Sequence, residues 1–344
     1  MTEKTVTIAL DAMGGDHAPH TVIAGAALAA KDLRDMRFLL FGDQNKLAPL
    51  LDAGASGLEN YTIHHCDDVI APDQKPSSAL RHGKQSSMAQ AIQAVGEGRA
   101  DCVVSAGNTG ALMALTMFGL KRLEGVSRPA IIATFPGRER TVCMLDLGAN
   151  VEADAHNLVQ FAIMGDCFAR HVIGLDQPKL GLLNVGSEES KGLAALREAA
   201  NILRDGEIGV NFHGFVEGDD IFNSTVDVII TDGFTGNVAL KTMEGTVRFI
   251  ASLLRGFLRS SFLTRLGLML TGGAFRQFFR QIINPGAYNG AVFLGLNGIA
   301  VKSHGNANAA SFANAIKVAA SLVHADFNEH IREGLGRLAR KSAK

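Results

Sequence analysis

Residues 6–19 read VTIALDAMGGDHAP, a short apolar run that leads directly into a glycine-rich turn. The run at residues 6–10 is apolar at nearly every position, which is typical of a buried strand in a parallel sheet. The turn contains Gly14 and Gly15, and a helical pattern near residues 20–34 follows it. A strand, a glycine-rich turn and a helix in this order predict the first unit of an α/β fold.

The same alternation of apolar runs and helical patterns continues along the chain. It predicts a three-layer α/β sandwich with a largely parallel sheet, built by a single domain over residues 1–344. Ligands on such folds bind beyond the carboxyl ends of the strands, so the loops there are expected to hold the chemistry. The predicted strands are 6–10, 38–41, 61–65, 102–105, 130–135, 142–147, 180–185, 226–231, 291–294 and 299–302. The predicted helices are 20–34, 78–97, 109–123, 154–172, 190–204 and 307–332.

The composition narrows the class of protein. The 344 residues are 47% hydrophobic and include 38 glycines and 8 prolines, which indicates a large core and many tight turns. A formal charge of -1, no tryptophan and 2 tyrosines argue against nucleic-acid binding. The 4 cysteines form no C-x-x-C motif, so we expect free thiols, no metal site and no disulfide framework. We also expect no signal peptide and no membrane-spanning segment.

Four glycine-rich loops follow predicted strands, at residues 11–19, 105–111, 184–192 and 232–237. Each combines glycines, small hydroxyl or amide side chains and the start of a helix, and such loops can hold a phosphate. Helix capping explains the same residue types, and this alternative stays open. We expect the loops to converge on one edge of the sheet and their hydroxyls to donate to phosphate. The phosphate-binding candidates are Gly14, Gly15, Ser105, Asn108, Thr109, Gly110, Asp232, Gly233, Thr235 and Gly236.

Four motifs carry a family resemblance: DAMGGDHAP at 11–19, SAGNTGA at 105–111, LDLGAN at 145–150 and DGFTGN at 232–237. In this order the chain resembles the bacterial phosphate acyltransferases, the acyl-acyl carrier protein:phosphate acyltransferases of phospholipid synthesis. The resemblance runs from about residue 6 to about residue 327 of the printed sequence. Leu193, which follows the third loop, stands where we expect a polar residue in relatives.

The resemblance implies a fold, a donor and a product. The fold is that of isocitrate and isopropylmalate dehydrogenases, shared with phosphotransacetylases, in a homodimer. The acyl donor is an acyl carrier protein thioester, and the acceptor is inorganic phosphate. The acyl phosphate product feeds the membrane glycerol-3-phosphate acyltransferase. The resemblance implies neither a metal nor a nucleotide cofactor.

The reaction needs a bound phosphate beside the thioester, a stabilised oxyanion and a proton for the departing thiolate. The chain has no G-x-S-x-G nucleophile elbow, which agrees with direct attack by phosphate. Lys191 is the candidate cation for phosphate or the oxyanion, and His17 is the candidate acid or base. Asn237 could donate its amide N–H to the carbonyl oxygen. A solvated lysine, a loop histidine and a helix-capping asparagine are the simpler alternatives.

Residues 246–283 carry six arginines and no acidic residue. Helical spacing there predicts an amphipathic helical hairpin inserted in the domain, with Gly272 and Gly273 between its helices. Its apolar face could pack on the core or a partner subunit, enter an anionic membrane as a peripheral contact, or dock the acidic carrier protein. The candidate contact residues are Arg248, Leu254, Arg255, Phe257, Leu258, Arg259, Phe278, Phe279 and Arg280.

Three other functions compete with the one that the resemblance implies. A phosphate acetyltransferase would use a short-chain coenzyme A thioester on a related fold. An NAD-dependent decarboxylating dehydrogenase would need an arginine-rich carboxylate clamp and paired metal-binding aspartates, which the sequence does not suggest. A non-enzymatic lipid-binding scaffold is suggested only by residues 246–283. We expect a cytoplasmic protein that can associate with the inner face of the cell membrane.

Overall fold

The structure is a computed structural model that describes residues 5–33, 35–52, 57–206, 208–259 and 289–342. Strands and helices alternate along most of this length. The strands are β1 (Val6–Asp11), β2 (Met36–Gly42), β3 (Tyr61–His65), β4 (Cys102–Ser105), β5 (Ala130–Pro136), β6 (Thr141–Leu145), β7 (Lys179–Leu183), β8 (Asn211–Val216), β9 (Val228–Ile230), β10 (Ala291–Leu294) and β11 (Ile299–Lys302).

The helices pack on both faces of the sheet. They are α1 (His20–Asp32), α2 (Gln44–Asp52), α3 (Pro76–His82), α4 (Ser87–Gly96), α5 (Thr109–Gly119), α6 (Ala155–Phe168), α7 (Ala194–Arg204), α8 (Asp220–Asn223), α9 (Gly233–Arg259), α10 (Ala309–His324) and α11 (Phe327–Ser342). A π-helical turn, Ala169–Ile173, extends α6.

One continuous sheet contains all eleven of these strands, in the order β3-β2-β1-β4-β11-β10-β5-β6-β9-β7-β8. Most neighbours are parallel, and the antiparallel pairs are β11 with β10, β10 with β5, and β5 with β6. The predicted α/β fold with a largely parallel sheet is confirmed.

Three antiparallel pairs in a row reverse the direction of the second half of the sheet. The carboxyl ends of β1, β4 and β11 therefore lie at one edge, which we call the Asp11 edge. The carboxyl ends of β6, β9 and β7 lie at the opposite edge, which we call the Asp146 edge. The expectation that all four glycine-rich loops converge on one edge is wrong, because periodicity does not reveal strand direction.

Two hydrophobic cores lie on the two faces of the sheet. On β1, Ile8 and Leu10 belong to the core under α1, α6 and α10, whereas Ala9 belongs to the core under α4 and α5. This alternation follows from the two-residue period of a strand. Because both faces are covered, strands such as β4 are buried at every position, as their apolar runs predicted.

Some element boundaries differ from the prediction. The helix expected at 78–97 breaks around Gly83, where an added Cβ would lie 2.5 Å from Cδ1 of Ile70, and Ser86 caps the helix that follows. The helix expected at 307–332 divides at Asp326, which has a φ of 45°. Strand β8 was missed because it lies at the end of the sheet, half exposed, and therefore lacks a continuous apolar pattern.

Helix α9 is 27 residues long and begins well before the predicted hairpin. Residues 246–259 form its second half, so the first arm of the expected hairpin is continuous with the helix that starts at Gly233. The second arm, including Phe278, Phe279 and Arg280, lies outside the described residues, and the hairpin stays a prediction. Within the described ranges, no helix combines the length and apolar character needed to cross a bilayer.

Candidate functional site

Asp11 lies at the end of β1 and is almost completely buried. Its two carboxylate oxygens accept hydrogen bonds from the hydroxyls of Ser87 and Ser105, each at 2.6 Å. Burial raises the pKa of the Asp11 carboxyl, and the hydroxyl hydrogen bonds oppose this rise. The carboxylate therefore ties the start of α4 and the end of β4 to the first glycine-rich loop.

Glycines next to Asp11 make room for this carboxylate. A Cβ on Gly14 would lie 2.3 Å from Asp11 Oδ2, and one on Gly107 would lie 3.3 Å from the same oxygen. Gly15 has a φ of 106°, where other residues are strained. These glycines therefore let the backbone lie close to the Asp11 carboxylate, and the contact of Gly14 and Gly15 with phosphate stays a prediction.

Lys302 is a cation at the Asp11 edge that the sequence analysis did not select. It ends β11 opposite Ser105 of β4. Its Nζ donates to the carbonyl oxygen of Ala106 at 3.3 Å and to that of Ser303. Burial lowers the pKa of Lys302 to about 8, while the carboxylates of Asp11 and Asp16 act in the opposite direction. The sequence pattern that could have identified Lys302 is a lysine at the end of an otherwise apolar strand.

Two exposed histidines lie at the same edge. His17 lines a shallow depression together with Gly14, Gly15, Ala106 and Gly305, where three loops meet. The N–H of His304 donates to Asn289 at 2.9 Å, and its Nε2 lies 3.5 Å from Glu244 of α9. Both imidazoles are therefore accessible to solvent.

Asp146 occupies the corresponding place at the opposite edge, directly after β6, and is fully buried. It accepts N–H groups from the backbone of Ile131, Gly148, Ala149 and Asn150 and from the Asn150 side chain, at 2.7–3.2 Å. Burial raises its pKa, and these donors oppose the rise. Because its oxygens accept five N–H groups, Asp146 holds this loop in place. The sequence analysis identified the motif at 145–150 but not this role of Asp146.

The start of α9 is packed tightly on the Asp146 loop. A Cβ on Gly236 would lie 1.9 Å from the Asp146 carbonyl oxygen, and one on Gly233 would lie 2.5 Å from that of Asn150. Asp232 accepts both the N–H and the hydroxyl of Thr235, at 2.9 and 2.7 Å. Asp232 and Thr235 thus form a helix cap, the alternative that the sequence left open.

Lys191 lies in the loop after β7, at the Asp146 edge of the sheet. Its ammonium is 2.7 Å from Glu188, and both side chains are about half exposed, at 49% and 57%. This hydrogen bond to Glu188 raises the pKa of Lys191. The side chain lies over Gly186, where a Cβ would be 2.4 Å from its Cδ. Lys191 is therefore a charged, solvent-exposed side chain with a local partner.

The remaining predicted residues are also divided between the two edges. Asn237 is exposed in the first turns of α9, against Gly148. Asn108 caps α5 through Ala111, and its side-chain amide donates to three carbonyls of the 71–74 loop. Thr109 is exposed, and Gly110 packs on Pro76.

Two of the expected hydroxyl donors are already engaged. Ser105 gives its single proton to Asp11 while its oxygen accepts the N–H of Gly107 at 3.0 Å, and Thr235 gives its proton to Asp232. In this arrangement both hydroxyl protons are engaged within the chain, and their donation to phosphate stays a prediction. Thr109, the third predicted hydroxyl donor, is an exposed residue.

Helix α9 connects the two edges. Gly233 contacts the Asp146 loop, and Glu244, eleven residues later, contacts His304 at the Asp11 edge. At 1.5 Å per residue this separation is about 16 Å. Within one subunit, His17 therefore lies at the opposite edge of the sheet from Lys191 and Asn237.

The second half of α9 presents apolar side chains to solvent. Phe249, Leu253 and Phe257 are each more than half exposed, and Leu254 is half-buried. Arg248 is exposed beside Glu244, at 3.5 Å. A contiguous apolar surface of this kind is typical of a contact with a partner or a membrane.

The cysteines offer no activated nucleophile. All four are buried and unpaired. Burial raises the pKa of Cys66 to about 11 and that of Cys167 to about 12, which keeps both thiols protonated. Among the residues that the structure describes, no three His, Cys, Asp or Glu side chains form a metal-binding group.

Comparisons with known proteins agree with the fold and the motifs. The family model described as "Fatty acid synthesis protein" matches residues 6–330. The phosphate acyltransferase of Rhodospirillum centenum is 55% identical over 331 residues, covering 96% of this chain and 93% of that protein. The phosphate acyltransferase of Parvibaculum lavamentivorans is 51% identical over 337 residues, covering 98% and 93%.

Solved structures support the fold alone. A phosphotransacetylase from Streptococcus pyogenes aligns with a TM-score of 0.64 at 16% identity, over 94% of this chain and 95% of that one. A 4-hydroxythreonine-4-phosphate dehydrogenase from Klebsiella pneumoniae aligns with a TM-score of 0.53 at 14% identity, over 94% and 99%. Acyl transfer to phosphate and dehydrogenation thus both occur on this architecture.

Proposed function

This chain belongs to the phosphate acyltransferase family, and from that premise we propose that it moves a long-chain fatty acyl group from acyl carrier protein to inorganic phosphate. A phosphate oxygen attacks the thioester carbonyl carbon, the carbon–sulfur bond breaks, and the phosphate proton passes to the departing sulfur. The acyl phosphate is then the activated donor for glycerol-3-phosphate acylation by a membrane enzyme.

The observation that carries this proposal is the Asp11 edge. There an exposed imidazole and a half-buried ammonium lie beside glycine-rich loops, while Ser87 and Ser105 are fully buried and bonded to Asp11. Direct attack by phosphate requires an anion site and a proton carrier, and no nucleophilic side chain. His17 is the proposed acid or base, and Gly14 and Gly15 shape the proposed phosphate site.

The proposed roles of Lys191 and Asn237 require a homodimer. Both lie at the Asp146 edge of their own subunit, with Asp232, Gly233, Thr235 and Gly236 fixing the start of α9. We place the partner subunit's Lys191 and the partner subunit's Asn237 near the thioester carbonyl of the first subunit. The lysine would stabilise the oxyanion, and the amide would donate to it.

One assay tests the reaction and its donor. The protein is incubated with phosphate and either a palmitoyl-acyl carrier protein or an acetyl- or palmitoyl-coenzyme A thioester, and acyl phosphate is trapped with hydroxylamine. We expect product from the carrier protein thioester. Product only from acetyl-coenzyme A would favour the phosphate acetyltransferase alternative, which the related fold of the phosphotransacetylases supports. No product from any donor would refute the proposal.

Mixed dimers test the shared site. We expect His17→Ala and Lys191→Ala each to lose activity without unfolding. If the site is shared, a His17→Ala/Lys191→Ala heterodimer contains one intact site and regains activity. If both residues act within one subunit, each site in the heterodimer carries one defect and no activity returns. An active Lys191→Ala homodimer would remove Lys191 from the mechanism.

The exposed face of α9 is the proposed membrane contact. Leu254 and Phe257, flanked by Arg248, Arg255 and Arg259, would meet the headgroup boundary of an anionic bilayer. A cytoplasmic enzyme held there would deliver its amphiphilic product directly to the membrane acyltransferase. We expect Leu254→Glu/Phe257→Glu to abolish flotation with phosphatidylglycerol vesicles. Retained flotation, with loss of turnover on the carrier protein thioester, would assign this face to the carrier protein.

A further inference from the structure

Lys302 lies at the point where three loops of the Asp11 edge meet. A Cβ on Gly15 would lie 3.0 Å from the Ala106 Cβ and 3.1 Å from the Gly305 carbonyl oxygen, so these loops touch. The N–H of Asp16 also donates to the Gly305 carbonyl, at 2.8 Å. The Lys302 ammonium contacts the Ala106 carbonyl inside this junction.

Within the described residues the Lys302 ammonium forms no ion pair, although the carboxylates of Asp11 and Asp16 act on its charge. Its hydrogen bonds go to main-chain carbonyl oxygens, and within the described part of the chain no carboxylate lies within ion-pair distance of its Nζ. Asp11 is committed to Ser87 and Ser105. The carboxylate of Glu244 in α9 pairs with Lys241. A half-buried ammonium in this situation is costly, and an anion that binds beside it removes the cost.

We propose that Lys302 binds the phosphate that attacks the thioester, taking over at the phosphate the role that the sequence assigned to Lys191. This inference rests on the proposed function, because it assigns a residue of that reaction. Inorganic phosphate is the ligand class, because it is a dianion and accepts charge-assisted hydrogen bonds.

The step needs no proton from Lys302. The phosphate oxygen forms a bond to the carbonyl carbon, the carbon–sulfur bond breaks, and the proton of the phosphate moves to sulfur through His17. Lys302 keeps its proton throughout. Its charge holds the nucleophile in place and offsets the negative charge that approaches the carbonyl.

The charge of Lys302 also sets a pH dependence. Asp11 of β1 and Asp16 of the first loop favour its protonated form, Lys241 of α9 disfavours it, and the His304–Glu244 pair lies beside it. With a pKa of about 8, the free enzyme loses this charge as the pH rises through that value. We therefore expect kcat/KM for phosphate to fall above pH 8.

The experiment compares Lys302→Met with Lys302→Arg, with Lys317→Met as the control. Lys317 pairs with Asp32 on the surface, away from the site. We expect Lys302→Met to lower kcat/KM for phosphate about 100-fold with the KM for thioester unchanged, and Lys317→Met to behave as wild type. Inorganic phosphate should raise the melting temperature of wild type and Lys317→Met but not of Lys302→Met. Lys302→Arg should keep partial activity and lose the decline above pH 8.

The outcomes separate this inference from the proposed function. A folded Lys302→Met that keeps its kcat/KM for phosphate within about threefold overturns the inference and leaves the function intact. A wild-type protein without acyl transfer overturns the function, and phosphate protection that depends on Lys302 still establishes the binding site. If Lys302→Met does not fold, the arginine variant decides: a decline above pH 8 that persists there overturns the role of Lys302.

Discussion

The two edges of the sheet place a buried aspartate at the same point of two glycine-rich loops, yet they use it differently. Asp146 is surrounded by five N–H donors from its own loop and from β5. Asp11 receives two hydroxyls and lies near the Lys302 ammonium. Motifs that look alike in sequence therefore build a closed hydrogen-bond network at one edge and an unbalanced charge at the other.

This difference supports the Asp11 edge as the proposed phosphate site. At the Asp146 edge, several donors that could meet an anion within one subunit are already bonded to Asp146, Asp232 or Glu188. At the Asp11 edge, the Lys302 ammonium donates to main-chain carbonyl oxygens and forms no ion pair within the described residues. A glycine-rich loop after a strand therefore indicates a phosphate site only weakly, because carboxylates of the same chain can already accept the hydrogen bonds of its N–H and O–H groups.

The largest expected effect concerns the closed network. Gly236→Ala places a methyl carbon 1.9 Å from the Asp146 carbonyl oxygen, and α9 must move off its loop. We expect a loss of about 4 kcal/mol in the free energy of unfolding, measured by urea denaturation. The control is Gly245→Ala in the same helix, where no described atom outside the local helix backbone lies within 4 Å of the new methyl group. It should stabilise by about 0.5 to 1 kcal/mol, and equal effects would contradict the packing described for Gly236.

Exchanging each carboxylate for an amide tests the comparison directly. Asp146→Asn turns an NH₂ group toward N–H donors and should cost about 3 kcal/mol of unfolding free energy. Asp11→Asn should cost only about 1 kcal/mol, because an amide can accept from one serine and donate to the other.

The activity of the same two variants provides the second measurement. Removal of the Asp11 charge further lowers the pKa of Lys302, since that charge favours its protonated form. The decline of kcat/KM for phosphate should then begin at a lower pH in Asp11→Asn and stay in place in Asp146→Asn. A shift in Asp146→Asn instead would mean that the Asp146 edge holds the phosphate.

A smaller effect is expected from Asn108, which joins the second glycine-rich loop to residues 71–74. Asn108→Ala removes the cap of α5 and leaves three carbonyls without their shared donor, at a cost of about 2 kcal/mol. Thr109→Ala, at the neighbouring exposed position, should change the unfolding free energy by less than about 0.5 kcal/mol. If Thr109→Ala weakens phosphate binding while Asn108→Ala destabilises the fold, the two roles are separated.

The sequence predicted the fold well where side-chain periodicity decides it. The apolar runs of β1 and β4 are buried on both faces, and the alternation of strands and helices is correct. Strand direction depends on which strands pair. The short β10–β11 hairpin enters the middle of the sheet between β4 and β5, and no local pattern in residues 291–302 contains that information.

The sequence analysis named candidate residues for the site, but it could not predict how they are arranged in space. Gly14, Ser105 and Asp232 were selected as phosphate-binding candidates, which stays a prediction, and the structure shows their contacts with other residues of the chain. Lys302 was missed because it ends an apolar strand without a glycine-rich loop, and its importance comes from the position of β11 next to β4. The proposed site thus depends on long-range strand pairing, which the local sequence pattern does not contain.

The smallest expected effect concerns the exposed pair Lys191–Glu188. Both side chains are half exposed, so Glu188→Gln should leave the urea midpoint unchanged. It also releases the Lys191 ammonium. If Lys191 were the cation that binds phosphate, this release would lower the KM for phosphate, because the anion would no longer compete with Glu188. Since we assign phosphate to Lys302 at the other edge, we expect an unchanged KM in steady-state assays at low salt. A lower KM would move the phosphate site to the Asp146 edge.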